Sequence, residues 1–576
     1  MKISEYVRKI SDTKILVNDN NIVFLISIVV GIIGGLGAYL FRFLIKANHT
    51  IFFERLLPFV TFYVGDYNLG IILIPALGGL IVGPIIYKYA REAKGHGVPQ
   101  VIEAVHTKGG IIRPIVAFIL IIVSSITIGS GGSAGQEGPI AQIGAVFGSI
   151  LGRIFFKIKK YVRLMVACGV AAGISATFNA PLGGAIFAME VISTKNGLVS
   201  SVPILISAVV GDVVMGFLFG FEKRFNLPEY VFKSSAEIPI YIVLGIIFGI
   251  LAFIWAKTYD KIETAFERLS FPEKYKPAIG GLFVGVIGMF FYGHGIMGVG
   301  YNEINAAMVG EVSLKMLIIL GFLKIIATSF SIGSGGSGGI FAPSLFIGAM
   351  FGTAFGLIAQ SLFPDIITQP YAFTLIGMGA LFAGACRAPV TTLIMIPEMT
   401  NNFYLFVPMM IVSSLSYFVS LAFTKHSMYM MKLAKKGISI KDKENILEDV
   451  NVSEVMTEKL DYIHLDTKVS QLLNLLLEKR RSGFPVVDEN MRFYGFVKIY
   501  DIRKINKAER ENLKVQDVLI GKYPFVHPDD TVYKALDTMV KGRVGRIPVL
   551  VEKNKEKYIA GIISKTDVIR AYDKLV

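Results

Sequence analysis

Two glycine-rich turns, each leading into a helix, are the stretches of this sequence best suited to hold an ion. The first reads IGSGGSAGQEGPIAQIGAVFG at 128–148, and the second reads IGSGGSGGIFAPSLFIGAMFG at 332–352. A proline stands in the first turn of each predicted helix, where its missing N–H is not needed. The free N–H groups at the positive end of such a helix form a site for an anion. Among the differences between the copies, the most telling for an anion site is Glu137 in the first, which corresponds to Phe341 in the second.

These turns belong to a longer duplication. The segment KGHGVPQVIEAV at 94–105 is paired with YGHGIMGVGYNEI at 292–304, and FNAPLGGAIFAME at 178–190 is paired with CRAPVTTLIMIPE at 386–398. The three pairs keep one order, with offsets of 198, 204 and 208 residues. They predict a duplicated unit, with repeats at about 22–222 and 238–424.

The composition places the duplicated unit in a lipid bilayer. Of 576 residues, 53% are hydrophobic and 18% are charged, and the mean hydropathy is +0.59, which is too apolar for a soluble chain of this size. Runs of spanning length recur at 22–41, 70–87, 114–134, 238–256, 277–293, 341–363 and 403–424. Broken helices at membrane depth are tolerated where they are buried or line a cavity, and transporters and channels place their substrate there. We therefore predict a polytopic membrane protein that carries an anion.

Other functions are disfavoured by what the sequence contains. The net charge of +15 is spread along loops without an aromatic-and-basic motif, so it indicates positive-inside topology rather than nucleic-acid binding. Basic residues before the first span predict a cytoplasmic N-terminus without a cleaved signal; they are Lys2, Arg8, Lys9 and Lys14. The two separated cysteines and the lack of any H-x-x-x-H pair predict no disulfide framework and no metal site. No set of a nucleophile, a base and an orienting group can be assembled from this sequence. We therefore predict that the protein is not an enzyme and requires no cofactor.

Three motifs together resemble the anion-site signatures of the CLC chloride channel and transporter family. They are Gly95-His96-Gly97-Val98-Pro99, Gly135-Gln136-Glu137-Gly138-Pro139 and Gly339-Ile340-Phe341-Ala342-Pro343, in this order. The resemblance covers about 22–437. It implies an all-α polytopic fold of two inverted repeats and a homodimer with one pore per subunit. It also implies a plasma-membrane location with both termini in the cytoplasm.

The resemblance assigns roles to single residues. Glu137 matches the gating glutamate, whose carboxylate occupies an anion position when ionised and leaves it when protonated or displaced. The backbone N–H groups of Ile340 and Phe341 match those that hold the central anion, and Tyr429 matches the tyrosine whose hydroxyl points at it. The full set of chloride-binding residues implied in this way is His96, Gly97, Gly135, Glu137, Gly138, Ile340, Phe341 and Tyr429.

Two positions depart from the family pattern. The first signature usually has serine where this chain has His96, which could donate to an anion or turn away and cap a loop. In proton-coupled members a second glutamate, which relays protons, follows the position of Glu190, and here that residue is Val191. Valine cannot carry a proton. Glu190 and Glu398 are interpreted as structural carboxylates, and Lys324 as a residue that snorkels from a helix end.

A soluble part follows the membrane part. After a charged linker at 438–448, two strand-and-helix repeats at 449–505 and 513–574 resemble a tandem pair of CBS domains. Such pairs often bind adenosine nucleotides (ATP, ADP or AMP) through a pattern that ends in aspartate. The second repeat carries it as Gly561-Ile562-Ile563-Ser564-Lys565-Thr566-Asp567, and the first carries it with a lysine at 498 before Asp501. The implied nucleotide-binding residues are Asp501, Ser564, Thr566 and Asp567, and the alternative is a purely structural dimerisation module.

Three hypotheses about function follow. The first is a voltage- or pH-gated chloride channel regulated by its cytoplasmic CBS pair, which the loss of the relay glutamate at Val191 favours. The second is a chloride/proton antiporter of the same fold. The third is a nucleotide-sensing membrane scaffold that transports nothing. Proton movement driven by a chloride gradient separates the first two.

Overall fold

The computed structural model describes most of the chain. The described residues are 19–156, 159–192, 201–220, 225, 230, 232, 234–438, 447, 450–458, 460–479, 481–519, 523–553 and 556–575. The chain divides into two compact units, residues 1–438 and 439–576. The predicted N-terminal segment 1–21 and the predicted linker 438–448 lie mostly outside the described residues. The finer boundaries predicted within each unit stay predictions.

The first half of unit one is helical apart from a short hairpin. Helix α1 (Asp19–His49) continues through a π-helical turn (Thr50–Leu56) into α2 (Leu57–Val60), and a hairpin of β1 (Tyr63–Val64) and β2 (Tyr67–Asn68) follows. The remaining helices are α3 (Gly70–Tyr89), α4 (Val98–Thr107), α5 (Ile115–Gly129), α6 (Glu137–Phe155), α7 (Lys159–Phe178), α8 (Pro181–Phe187) and α9 (Ser201–Phe219). Short helices such as α4 and α8 begin at a Gly-Val-Pro or Ala-Pro sequence, because proline suits a first turn.

The second half repeats this rhythm. Its helices are α10 (Ile238–Arg268), α11 (Lys276–Phe290), α12 (Tyr301–Met308), α13 (Leu314–Gly333), α14 (Phe341–Leu362), α15 (Ala372–Cys386), α16 (Pro389–Thr400), α17 (Phe406–Phe423) and α18 (Met428–Lys435). Across the described ranges of the chain, nine helical segments are long and apolar enough to cross a membrane. The predicted polytopic, helical membrane unit is therefore confirmed.

The duplication is visible in the packing. Helices α6 and α7 touch backbone to backbone at Gly144 and Gly169, where a β-carbon on either glycine would collide with the carbonyl oxygen of the other. Helices α14 and α15 touch in the same way at Gly348 and Gly377. Small residues allow helices in a membrane to approach closely. The two helix pairs therefore bring the starts of α6 and α14 to equivalent places in the two repeats.

Unit two contains two small sheets with helices. In the first repeat β3 (Ile463–His464) pairs parallel with β4 (Gly483–Val487), which pairs antiparallel with β5 (Phe493–Lys498). In the second, β6 (Arg546–Lys553) pairs antiparallel with β7 (Glu556–Ser564). The helices are α19 (Val452–Val455), α20 (Val469–Glu478), α21 (Ile499–Arg503), α22 (Val532–Lys541) and α23 (Lys565–Leu575). This is the predicted α/β pair.

The leading segment of the first repeat packs on the second repeat. Thr457 and Ile562 exchange two backbone hydrogen bonds, of 2.9 and 3.1 Å. The side chain of Val452 is buried in one hydrophobic cluster with Val532 and Met539 of α22. The two repeats therefore share a core and fold as one body.

Candidate functional site

The three signatures meet in space. Gly95 donates to the carbonyl oxygen of Gly336 at 3.0 Å and accepts from Gly338 at 3.2 Å. Gly135 and Gly339 exchange two backbone hydrogen bonds, of 2.7 and 2.6 Å. These bonds join turns that lie up to about 240 residues apart in the sequence and bring the starts of α4, α6 and α14 together.

Glycine is required where these turns cross. Gly97 has a φ of +82°, and a β-carbon there would lie 2.7 Å from the carbonyl oxygen of Gly138. A β-carbon on Gly138 would collide in turn with the carbonyl oxygen of His96. The positive φ and the close approach both exclude larger residues. The predicted residues Gly97 and Gly138 thus let the start of α4 touch the start of α6.

The Glu137 carboxylate lies between two hydrogen-bond donors. Glu137 is the first residue of α6 and is fully buried. Its Oε2 accepts from the backbone N–H of Ala342, in the first turn of α14, at 3.3 Å. Its Oε1 accepts from the hydroxyl of Tyr301 at 2.5 Å. A negatively charged group therefore occupies the N-terminus of α14, where a halide would be stabilised by the same N–H group and helix dipole.

Sequence reasoning missed Tyr301. This tyrosine is the first residue of α12 and lies inside the segment at 292–304 that was identified as the partner of the first signature. Its identity alone did not indicate a contact with Glu137, because the two residues are 164 positions apart. The available signal was the pairing itself, since this segment is the duplicate of the one that carries the first signature.

An aromatic cluster surrounds the other predicted residues. Ile340 and Phe341, which precede and begin α14, are 1% and 2% exposed. The ring of Phe341 contacts the rings of Phe178, Phe187 and Phe382, with centroid distances of 4.9, 5.9 and 4.1 Å. The side chain that begins α14 is therefore packed among apolar rings and almost fully buried.

Tyr429 joins this cluster from α18. Its ring contacts Phe187 and Phe382 with centroid distances of 6.3 and 6.4 Å, and its side chain is buried. Its side chain lies beside that of Cys386, at the end of α15. The structure thus brings Tyr429 to the same place as Phe341, and a contact between its hydroxyl and an anion stays a prediction.

His96 lies inside the site. It is 2% exposed, and its ring lies 5.7 Å from the ring of Tyr429 and 5.9 Å from that of Tyr259. Among the residues that the structure describes, its Nδ1 has no hydrogen-bond partner. Among the described residues, His96 therefore does not cap a loop through Nδ1. A direct contact between His96 and an anion stays a prediction.

Two glutamates after the Ala-Pro motifs cap each other's helices. The carboxylate of Glu190 accepts from the N–H groups of Val390 and Thr391 and from the Thr391 hydroxyl, at 3.1, 2.7 and 2.6 Å. The carboxylate of Glu398 accepts from Leu182 and Gly183 at 2.9 and 2.7 Å. Each carboxylate thus satisfies unpaired N–H groups at a helix start.

Val191 follows Glu190 in a π-helical turn, Ala188–Ile192, and is half-buried. The turn therefore presents an aliphatic side chain at the predicted relay position, and the assignment of that position stays a prediction. The neighbouring carboxylate of Glu190 is directed to the start of α16 instead.

Lys324 does not snorkel, and that expectation was wrong. It lies in the middle of α13 and is fully buried. Its Nζ donates to the carbonyl oxygens of Gly295, Ile296 and Gly298 at 2.8, 3.1 and 2.9 Å. Because all three oxygens belong to one loop, the ammonium group fixes that loop from inside the protein instead of reaching for water.

Unit two contains a cavity of about 620 Å³ in which part of the predicted nucleotide site lies. Ser564, Thr566 and Asp567 line it, whereas Asp501 does not. The Asp567 carboxylate accepts from the backbone N–H and the hydroxyl of Ser564 at 2.9 and 2.6 Å. Five basic side chains also line the cavity, namely Arg481, Lys498, Arg543, Arg546 and Arg570. The structure therefore separates Asp501 from the other three residues.

Basic side chains outnumber acidic ones around this cavity. The hydrogen bond from Lys479 holds the pKa of Asp461, which lines the cavity, below its ordinary value, so this carboxylate is ionised at neutral pH. The ring of Tyr523 stacks on Phe496 with a centroid distance of 4.5 Å, and burial raises the pKa of Tyr523 to about 12. The cavity thus combines a stacked aromatic pair with an excess of positive charge, which suits a phosphorylated ligand.

Comparisons with known proteins agree with this geometry. The family described as voltage gated chloride channel matches residues 78–421, and the CBS domain family matches 452–507 and 515–574. Chloride channel protein CLC-e of Arabidopsis thaliana is 26% identical over 557 residues, which cover 84% of this chain and 78% of that protein. The H(+)/Cl(-) exchange transporter ClcA of Vibrio parahaemolyticus is 30% identical over 352 residues, which cover 60% of this chain and 74% of that protein. A crystal structure of a slow cyanobacterial Cl⁻/H⁺ antiporter aligns with a TM-score of 0.66 at 25% identity, covering 72% of this chain and 97% of that one.

Proposed function

Because the chain belongs to the voltage-gated chloride channel family and ends in two CBS domains, we propose that it conducts chloride through the site where α4, α6 and α14 begin. The observation that carries this proposal is the position of the Glu137 carboxylate, 3.3 Å from the N–H of Ala342. A carboxylate and a halide compete for such an N–H group. Glu137 is therefore the gate: chloride passes when the carboxylate is protonated or displaced.

The other site residues hold the ion while the gate is open. The N–H groups of Ile340 and Phe341 lie at the start of α14, at the positive end of its dipole. The Tyr429 hydroxyl and the buried His96 ring supply further donors beside them. Ile340 and Phe341 are almost fully buried, and a low local dielectric strengthens each of these interactions.

We favour passive conduction over proton exchange. The side chain of Val191 has no titratable group, and Val191 occupies the position where proton-coupled relatives carry a relay glutamate. Its neighbour Glu190 does not replace that glutamate, because its carboxylate accepts three hydrogen bonds at the start of α16. Moving this carboxylate toward a proton path would leave two helix N–H groups unpaired. The second candidate is a chloride/proton antiporter, which is favoured by the similarity to ClcA and to the cyanobacterial antiporter.

Proton movement in vesicles separates the two candidates. The purified protein is reconstituted into liposomes with a chloride gradient and no proton gradient, and internal pH is followed with a dye. We expect chloride to flow without moving protons uphill, because the chain lacks the relay carboxylate at Val191. Uphill proton movement that stops when the chloride gradient is removed would establish the antiporter instead.

The assembly and location are proposed by analogy with the family. We propose a homodimer with one pore per subunit, in the plasma membrane, with both termini in the cytoplasm. Helices α9 and α17 each present large apolar side chains outward, as a surface that faces lipid or a second subunit must; Val202, Val209, Phe217, Val407, Phe418 and Phe423 are exposed. In such an assembly each subunit keeps its own site.

Unit two is proposed to regulate conduction by binding an adenosine nucleotide. Its cavity contains the predicted Ser564, Thr566 and Asp567 together with five basic side chains. Arginine and lysine side chains bind phosphate groups, and the carboxyl oxygens of Asp567 can accept from ribose hydroxyls. A nucleotide shifts gating only if it binds the open and closed states with different affinity.

Substituting Asp567 tests this site. In the full-length protein D567N should weaken ATP binding about tenfold, the effect of losing one charge-assisted hydrogen bond. Asparagine keeps an oxygen that can accept from Ser564, so the start of α23 remains capped. Binding is measured by titration calorimetry with ATP, ADP and AMP. The control D501N lies outside the cavity and should leave affinity unchanged; equal affinity in D567N and the unaltered protein would refute the assignment.

A further inference from the structure

We propose that Tyr301 is a positioning residue that holds the Glu137 carboxylate in the anion site against displacement by chloride. This inference rests on the proposed function, in which Glu137 is the gate. The two oxygens of the carboxylate have donors from different elements: the Tyr301 hydroxyl at 2.5 Å, from α12, and the Ala342 N–H at 3.3 Å, from α14. Tyr301 therefore binds the closed gate directly.

The tyrosine discriminates between the gate and the ion. A hydrogen bond from a hydroxyl to a carboxylate is short and about twice as strong as a neutral one. A carboxylate has two oxygens and reaches both donors at once, whereas a single halide at the Ala342 N–H lacks the second oxygen that meets Tyr301. Tyr301 thus stabilises the closed state more than the chloride-occupied state, and chloride must overcome that difference to open the gate.

Tyr301 is held in place by the loop that precedes it and by an aromatic contact. It follows Gly300, which has a left-handed φ of +91°, and its ring contacts the buried ring of Phe225 with a centroid distance of 5.8 Å. The preceding loop is fixed by three hydrogen bonds from the buried Lys324. The hydroxyl is consequently presented to Glu137 from a rigid support.

The same helix supports both donors. The ammonium group of Lys324 lies 4.8 Å from the ring centroid of Phe346, a residue of α14. The Phe346 ring also leaves no room for a β-carbon on Gly295 or Gly300. Ala342 lies four residues earlier on α14. Helix α14 supplies the Ala342 N–H and also packs against the loop that carries Tyr301. The distance between the Ala342 N–H and the Tyr301 hydroxyl is therefore set by the packing of α14 against this loop.

Chloride dependence of flux tests the proposal. The full-length protein, Y301F, E137A and the double variant E137A/Y301F are reconstituted, and initial chloride flux is measured against chloride concentration. In Y301F the half-saturating chloride concentration should fall about tenfold, the effect of losing one hydrogen bond to a charged group, while the maximal flux is unchanged. In the E137A background Y301F should change neither value. Y292F is the matched control, since Tyr292 is an exposed tyrosine near the same loop.

Each outcome is decisive. A half-saturating concentration that is unchanged or higher in Y301F, or one that falls equally with and without Glu137, overturns the role of Tyr301 while the gate remains. If E137A itself leaves the chloride dependence unchanged, the proposed function fails and this inference fails with it. Should Y301F not fold, 3-fluorotyrosine at position 301 replaces it; its hydroxyl is a stronger donor, so the half-saturating concentration should rise.

Discussion

Replacing Glu137 by alanine should raise chloride flux at low chloride concentration by at least about tenfold and remove its dependence on gate opening. The carboxylate accepts two hydrogen bonds in the closed state, from Tyr301 and Ala342. Each hydrogen bond to a charged group contributes about 1.5–3 kcal/mol, so even one of them corresponds to roughly a tenfold change in occupancy. Without the carboxylate, chloride meets no competitor at the start of α14. Flux is measured in liposomes with a chloride electrode.

The matched control for this variant is E54A. Glu54 is an exposed glutamate whose carboxylate accepts from Thr50, far in the sequence from any of the three signatures. Its loss should leave flux as it is in the unaltered protein. If E137A and E54A behaved alike, Glu137 would be a helix-start carboxylate without a gating role. If neither protein conducted chloride at all, the scaffold hypothesis would replace the channel.

Replacing Lys324 by methionine should destabilise unit one by about 3 kcal/mol or more. Methionine fills a similar volume but leaves the carbonyl oxygens of Gly295, Ile296 and Gly298 without their donor. A buried polar group that loses its only partner costs about 1–3 kcal/mol. The expected result is a lower thermal unfolding midpoint in detergent, together with a lower half-saturating chloride concentration in the fraction that remains folded, because the support of Tyr301 is loosened.

The control for K324M is K315M on the same helix. Lys315 is exposed near the start of α13, so its replacement should leave the unfolding midpoint nearly unchanged. Equal midpoints in K324M and the unaltered protein would contradict the structural role of the three hydrogen bonds. A lowered midpoint with unaltered chloride dependence would show that the loop is stabilised by Lys324 but does not orient Tyr301.

The backbone of the candidate site could be predicted because it follows from local rules. Glycines that end an apolar run and a proline that begins a helix are visible in the sequence, and their duplication indicates that they meet. The prediction therefore found the starts of α4, α6 and α14 and the difference between Glu137 and Phe341. The hydrogen bonds between Gly135 and Gly339 then follow from the pairing of the two turns.

The hydrogen bond from Tyr301 to Glu137, and the loop contacts behind it, could not be predicted in the same way. Tyr301 and Lys324 act through loops whose path depends on tertiary packing, and nothing in their local sequence differs from an interfacial tyrosine or a snorkelling lysine. Lys324 was misinterpreted because its helix is as apolar as a lipid-facing span, whereas its side chain is turned inward to three carbonyl groups. Asp501 was grouped with Asp567 on motif similarity, which does not show whether the two repeats share one cavity.

The most direct measurement is the position of a heavy halide in crystals of the unaltered protein and of E137A. Bromide scatters anomalously and resembles chloride in charge and size, so its position can be found without ambiguity. The account predicts an anomalous peak beside the Ala342 N–H in E137A, where the Glu137 carboxylate otherwise lies, and a weaker peak or none at that place in the unaltered protein. Equal peaks in both proteins, or no peak at the start of α14 in either, would contradict competition between the carboxylate and the ion for one site.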